Sequence, residues 1–460
     1  MKNTVIAAVS TPPGKGGVAI IRISGDGALD TALRVFNPKS KKCAAQITPR
    51  MQYFGTLVYQ GEEIDDGLLC YFKSPASFTG EDLVEIGCHG GTLVTKTVLE
   101  ALFAAGASPA RRGEFTERAL INGKLSLTDA EAISELLEAK SHAQIRLSTA
   151  SSRSLLSDRI SNIKSSLTDM LSSMLARIDY PDEDLGDFSD EELLKRLEGA
   201  KADISRLISS YKTGSAISEG VKTVILGRPN VGKSSVYNLI LGEDAAIVTD
   251  VEGTTRDVLT RDVAIGKVLL SLSDTAGIRN SRDEVEKIGI ERSLGRLRDA
   301  DLILAVFDGS EQLTEQDLEI CKLISESEAP KIAVLNKSDK GTACLISELS
   351  KKFDTLVTLS AKHQPDEGRI ALAKAIDALF IDDRLEIGSD AIVSNARQNA
   401  ALVRALEHIS SAISSLGDGL FQDAAASDIE RALGAISELD GGSVTDEVLS
   451  DIFSKFCVGK

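Results

Sequence analysis

The 460-residue chain has no apolar run near the roughly 18 residues that a membrane-spanning helix needs, so no membrane association is expected. It also lacks a signal-peptide pattern, because Lys2 precedes only a short apolar stretch that breaks at Pro12 and Pro13. Its six cysteines (Cys43, Cys70, Cys88, Cys321, Cys344 and Cys457) have no metal-ligand spacing. With no leader before them, they read as reduced thiols of a cytoplasmic protein rather than a disulfide framework. Basic charge is scarce: the net charge of −17 excludes a surface coated for nonspecific nucleic-acid binding, but not a structured RNA held by a local patch. The densest basic stretch, Arg34, Lys39, Lys41, Lys42 and Arg50, reads first as a solvated loop. What remains is a soluble globular composition, 42% hydrophobic and 26% charged, long enough for about two to four domains.

The most informative segment present is Gly227-Arg228-Pro229-Asn230-Val231-Gly232-Lys233-Ser234, which fits G-x-x-x-x-G-K-[ST]. A buried strand is expected before it (Lys222 to Leu226) and a helix after it (Ser235 to Leu241). In that setting glycines let the backbone wrap phosphates, amides form an anion nest, Lys233 reaches the outer phosphates, and Ser234 offers a hydroxyl to Mg2+. Asn336-Lys337-Ser338-Asp339 follows the apolar run Ile332 to Leu335, at the carboxyl end of a strand, where open α/β sheets bind ligands. A carboxylate there accepts two hydrogen bonds from guanine, which adenine cannot supply on that edge. Ser360-Ala361-Lys362 backs the base. Asp274-Thr275-Ala276-Gly277 and Thr255 belong to loops that order around Mg2+ and the γ-phosphate, as in a nucleotide switch. The expected ligand is GTP.

The position after Gly277 is Ile278, which cannot orient water as the Gln of many small GTPases does. Transition-state charge must still be neutralised. Asn230 offers an amide oxygen that could hold a monovalent cation against the phosphates. Glu286 is the best-placed acid to orient water, although within Asp283 to Lys287 it also reads as one member of a solvated charge run.

Along the chain, residues 1–118 mix short strand-like runs (Thr4 to Val9, Val18 to Ile23, Gly67 to Phe72, Leu83 to Ile86) with turns and some helix. Residues 119–217 are helical, with capping boxes at Thr128 to Glu131 and Ser189 to Glu192. Residues 218–380 alternate strand and helix as a doubly wound domain does. Residues 381–460 are helical again, with an apolar stripe of Leu402, Leu406, Ile409, Ile413 and Leu416 that reads as ordinary packing against the first helical block. The expected architecture is α/β plus α: an N-terminal α+β domain, then a helical domain into which a doubly wound P-loop domain is inserted. The terminal Phe456-Cys457-Val458-Gly459-Lys460 reads first as a frayed tail; alternatively, a thiol at a mobile end is delivered to a site elsewhere.

The whole chain resembles the MnmE (TrmE) family of tRNA modification GTPases. The residues that carry this are Thr11 to Gly17 (TPPGKGG), Arg22 to Gly25, Ser77 to Asp82 (SFTGED), His89-Gly90-Gly91, Arg112 to Thr116 (RGEFT), Gly227 to Ser234, Thr249 to Asp257, and Phe456 to Lys460 (FCVGK). The resemblance implies an N-terminal tetrahydrofolate-binding domain, with Arg22, Glu85, Lys124 and Lys460 as folate contacts and a folate one-carbon unit as donor. It implies a flavoprotein partner, MnmG (GidA), which carries the FAD, and installation of an aminomethyl or carboxymethylaminomethyl group on carbon 5 of the wobble uridine of certain tRNAs. It further implies a homodimer through the GTPase domains and potassium held by Asn230, Thr249, Val251 and Thr254. Glu286 aligns with the family's water-orienting acid, Arg256 tunes switch behaviour, and Cys457 matches a functionally important cysteine of undefined chemistry. Two rival functions are a ribosome-assembly GTPase, which the acidic C-terminal text disfavours, and a scaffold with a dead site, which conflicts with intact Lys233, Ser234 and Asp274.

Overall fold

The computed structural model describes residues 4–39, 47–179, 189–242, 260–273, 297–341, 349–417, 422–442 and 444–460. The chain divides into two compact units, Met1–Ser134 with Leu433–Lys460, and Glu135–Ala432. The first contains β1 (Ile6–Val9), β2 (Gly16–Ser24), α1 (Ala28–Leu33), β3 (Phe36–Pro38), β4 (Gln52–Tyr59), β5 (Glu62–Phe72), β6 (Leu83–Gly90), α2 (Thr92–Ala104), β7 (Ser108–Pro109), α3 (Glu114–Ile121) and the start of α4 (Leu127–Glu138). Its sheet runs β3-β4-β5-β6-β2-β1-β7 and is antiparallel except for the β1–β7 pair. Alternation drives the packing: Ala19, Ile21 and Ile23 of β2 join Leu57, Leu69, Val84 and Ile86 beneath Val98 and Leu102 of α2. Ile20 and Val18 take the opposite, exposed face.

The expected strand Gly67 to Phe72 is only the second half of β5. The first half, Glu62 to Asp66, is acidic text that reads against a strand, yet it pairs with β4, with one register shift between Leu57 and Val58, across a turn in which Gln60 and Gly61 both have positive φ. The capping box also starts earlier than expected. Ser126 Oγ accepts from the Asp129 amide at 3.1 Å and the Ser126 amide donates to Asp129 Oδ2 at 2.9 Å, while Thr128 is buried inside the helix. Burial of Leu127 and Ala130 sets the start of this helix, so the earlier serine becomes the cap.

The second unit contains the rest of α4, α5 (His142–Ser152), α6 (Leu155–Asp179), α7 (Asp190–Ser218), β8 (Val221–Leu226), α8 (Lys233–Leu241), β9 (Thr260–Ile265), β10 (Val268–Ser273), β11 (Leu302–Asp308), α9 (Glu315–Ser325), β12 (Lys331–Asn336), β13 (Thr355–Thr358), α10 (Pro365–Phe380), α11 (Ala396–Gly417) and most of α12 (Gln422–Asp440). The chain returns to the first unit at Leu433, within α12, and continues into α13 (Asp446–Ser454). Ser189 caps α7 as expected, accepting from the Glu192 amide.

The second sheet is ordered β13-β12-β11-β8-β10-β9, with only β9 antiparallel. Every residue of β11 is buried. Leu302, Leu304 and Val306 face the α8–α10 side, whereas Ile303, Ala305 and Phe307 face α9. Two covered faces explain why these strands read as continuous apolar runs. From β8 the sheet grows both ways, to β10 and to β11, which places the loop after β8 at the topological switch point.

Helix α11 packs on α7 through Ala401, Leu402, Ala405, Ile409 and Ala412. Alanines share a seam that the leucine–isoleucine stripe alone described, and Leu406 and Ile413 are only half-buried. Gly214 on α7 lies against the backbone of Val393, where a Cβ would stand 1.9 Å from the Val393 carbonyl oxygen. Ser210 Oγ accepts from the Val393 amide nearby.

Candidate functional site

The loop leaving β8 is shaped by two close approaches. A Cβ on Gly227 would lie 2.4 Å from the Val306 carbonyl, and one on Gly232, at φ 98°, would lie 2.2 Å from Asn336 Nδ2. Asn230 holds a left-handed φ of 65°, which asparagine tolerates better than most residues. The loop runs directly into α8, whose first-turn amides form an anion-attracting end. Lys233 Nζ donates to the carbonyls of Gly227 (2.7 Å) and Arg228 (2.9 Å), across the loop it follows. Burial pushes its ammonium below the ordinary lysine range. Val231 is buried beneath the loop, Ser235 is half-buried, and Ser234 is exposed at the head of the helix.

Asn336 closes β12 and is 3% exposed. Its Nδ2 donates to the Val231 carbonyl (2.9 Å) and its Oδ1 accepts from the Ala361 amide (3.0 Å), so one side chain ties the phosphate-type loop to the loop after β13. Lys337, with φ 66°, sends Nζ to the Asn230 carbonyl (2.8 Å) and to Asp308 Oδ2 (2.6 Å). Asp339 Oδ1 accepts from Ser360 Oγ at 2.6 Å, and that bond holds its carboxyl below the ordinary carboxylate range. Asp339 therefore stays ionised and partly exposed, an acceptor presented at the edge of the cleft. Ala361 is buried and Lys362 is exposed. Asn336 and Lys337 thus bond the loop directly, Ala361 joins it through Asn336, and Asp339 and Ser360 bond each other.

In the first unit, Arg22 and Glu85 stand directly opposite each other on β2 and β6, joined at 2.7 Å. The guanidinium lies 5.5 Å from the Phe78 ring centroid and 5.8 Å from that of Phe115. Lys124 Nζ donates to the Pro75 carbonyl in the loop that also carries Phe78. The C-terminus is not frayed. Val458 bridges Arg112, Ser10 Oγ donates to the Gly459 carbonyl (2.9 Å), and the Phe115 amide donates to the Lys460 carbonyl (3.3 Å). Phe456 is 2% exposed, packed with Phe453 and Ala130. Burial of that ring anchors the tail, leaving Cys457 exposed on a fixed backbone. The Lys460 carbonyl is thus bonded to Phe115, whose ring lies beside Arg22. Nearby, Arg118 bridges Glu81 (3.0 Å) of the SFTGED segment and Glu114 (2.9 Å) of the RGEFT segment in a largely buried cluster whose arginine lies outside both motifs.

Residues 127–457 match the family model described as the MnmE helical domain, and residues 5–124 match that of the GTP-binding protein TrmE N-terminus. Proteins named tRNA modification GTPase MnmE align along nearly their whole length. That of Thermotoga petrophila is 39% identical, covering 99% of both chains. That of Natranaerobius thermophilus is 37% identical, covering 100% of both. That of Clostridioides difficile is 37% identical, covering 100% of this chain and 99% of its own. The chain belongs to the MnmE family.

For this MnmE-family chain, the expected residues Thr249, Val251, Thr254, Thr255, Asp274, Thr275, Ala276, Gly277 and Glu286 lie outside the described residues, as does Arg256. Among the described residues no His, Cys, Asp or Glu cluster has the makings of a metal site, and no helix is long and apolar enough to cross a membrane. Sequence reasoning passed over Asp308. Its signal was legible: a lone acid closing the all-apolar strand Leu302 to Phe307, at the carboxyl end where such sheets place ligands.

Proposed function

We propose that this chain hydrolyses GTP and works in tRNA modification. The observation that carries the reading is the cross-link between Asn336 and Val231 and between Lys337 and Asn230, which makes a phosphate cradle and a guanine-type acceptor one rigid site. Asp339 accepts from guanine N1 and the exocyclic amine, the Ala361 amide backs the base, and Lys233 leaves its loop carbonyls for the outer phosphates. Glu286 orients the attacking water.

The exposed Ser234 hydroxyl at the head of α8 suits a magnesium ligand, with Thr255 as its second; the exposed Asn230 suits potassium, with Thr249, Val251 and Thr254. When bound, these cations neutralise charge that develops on the transferring phosphoryl group. GTPase domains pair in a homodimer and complete this site.

In the first unit, the Arg22–Glu85 pair flanked by Phe78 and Phe115 suits a flat ring with a polar edge, and Lys124 and Lys460 suit a carboxylate tail. The ligand is a tetrahydrofolate derivative, and Cys457 is fixed beside it. With the flavoprotein MnmG (GidA), which holds FAD, the protein adds an aminomethyl or carboxymethylaminomethyl group at carbon 5 of wobble uridines in the cytoplasm. GTP turnover is expected to rise severalfold when sodium is replaced by potassium, and Asn230→Ala is expected to remove that rise while retaining GDP binding. A rate indifferent to the alkali ion overturns the cation assignment, and unchanged wobble uridines in tRNA from a deletion strain overturn the modification role.

A further inference from the structure

The phosphate loop has a second set of supports that none of its motifs describes. Seen from the loop, Asn230 and Arg228 are each held from outside. The Asn230 carbonyl accepts from Lys337 Nζ, and Lys337 is in turn held by Asp308 at 2.6 Å. Asp308 is fixed by the Ser310 amide (3.1 Å) and the Ser310 hydroxyl (2.6 Å), and its side chain is only 4% exposed. The Arg228 guanidinium points away from the cradle, with Nε on Asp317 Oδ2 at 3.2 Å and Nη2 on Glu311. Asp317 is 2% exposed and already serves the capping box of α9 with Thr314.

All three acids, Asp308, Glu311 and Asp317, come from one stretch, the end of β11, the connection after it and the first turn of α9. We propose that this stretch is a brace that positions the phosphate loop, Asp308 acting through Lys337 on the Asn230 peptide and Asp317 with Glu311 acting through Arg228. The inference rests on the reading of this loop as the GTP phosphate site.

Two physical points support a positioning role over plain fold stabilisation. Asn230 occupies a left-handed conformation that costs free energy, and its carbonyl is oriented by a cation that Asp308 also holds. Buried carboxylates are also an expensive way to gain stability, since removing a charge from water offsets most of the attraction to its partner. Burial alone would push the Asp308 carboxyl up, but its bonds to Lys337 and Ser310 outweigh that and hold it below the ordinary range, so it is ionised wherever the protein works. Two such buried acids, joined by the exposed Glu311, all directed at the supports of one six-residue loop, are explained by what the loop must hold still.

The test is titration of the full-length protein with fluorescent mant-GDP and mant-GTP, alongside thermal unfolding. Asp308→Asn keeps the shape and removes the charge. It is expected to weaken both nucleotides about tenfold, roughly 1.4 kcal/mol, with the preference for GDP over inosine diphosphate unchanged, because Asp339 and Ser360 are untouched. Lys337→Met is expected to weaken binding too, and the double variant no further than Lys337→Met alone, since both changes act through one contact. Arg228→Met and the more exposed Glu311→Gln are expected to give smaller losses of about two- to fourfold, with Arg228→Lys restoring part of the loss. Should Asp308→Asn fail to fold, Ser310→Ala and Glu311→Gln carry the same test. Wild-type affinity in every folded variant, or losses that simply add in the double variant, overturns the brace. Failure of the wild type to bind mant-GDP overturns instead the reading of the site.

Discussion

The two units build their candidate sites in opposite ways. In the unit with the parallel sheet, each functional segment is a few consecutive residues at the carboxyl end of a strand, and the topology of β8, β11, β12 and β13 lines them up. In the unit with the antiparallel sheet, Arg22 and Glu85 come from paired strands, Lys124 from a loop after α3, and Lys460 from a segment that returns after some 300 intervening residues. A site at strand ends tolerates changes elsewhere along the chain, because its geometry is local. A site closed by the chain's last residues depends on long-range contacts, such as that between Ser10 and Gly459.

Breaking each region separately sharpens the contrast. The largest effect is expected for Gly232→Val, which puts a β-branched side chain at φ 98° and against Asn336. Fluorescent GDP titration should show at least a hundredfold loss, about 2.7 kcal/mol, while tetrahydrofolate binding by calorimetry is unchanged. The counterpart, Gly459→Ala, forces a Cβ within 2.3 Å of the Val9 carbonyl. It should lower tetrahydrofolate affinity about tenfold, roughly 1.4 kcal/mol, and leave GTP turnover alone. Equal losses of both activities in either variant would end the separation. Asp339→Asn should cost about 1.5 kcal/mol in GDP binding, the order of one lost charged hydrogen bond, and the same substrate titration reads it. The smallest effect concerns acid. Because the folded Asp308 carboxyl lies below its unfolded value, its contribution to stability is complete above the ordinary carboxylate value and is lost as pH falls from there through the lower folded value. Unfolding temperatures of Asp308→Asn followed from neutral pH down to about pH 3 should therefore decline less steeply than those of the wild type.

Much of the second unit was legible because apolar periodicity and motif spacing report the same local geometry. A strand buried on both faces reads as a continuous run, and glycine at positions 227 and 232 marks backbone approaches that no side chain permits. The acidic first half of β5 was not legible, since its strand state comes from pairing with β4 rather than from its own propensity. Nor was the cap of α4, where Ser126 and Thr128 compete and burial of the neighbouring Leu127 decides. The tail misled for a related reason: Val458, Gly459 and Lys460 carry no local pattern, and contacts distant in the chain hold them, with the Phe456 ring buried and Arg112, Ser10 and Phe115 bonded to the last residues.

Sequence alone thus determined the chemistry on offer: a lysine and hydroxyls after a glycine loop, an aspartate for a base, and a cysteine next to a terminal glycine and lysine. Those follow from residue type and spacing, which act over a turn or two of chain. Tertiary structure decided what holds the chemistry in place, from the Asp308–Lys337–Asn230 line to the docking of Gly459 on Val9 and Ser10. Such contacts join residues far apart in the chain, and no local rule of propensity or periodicity reaches across that distance.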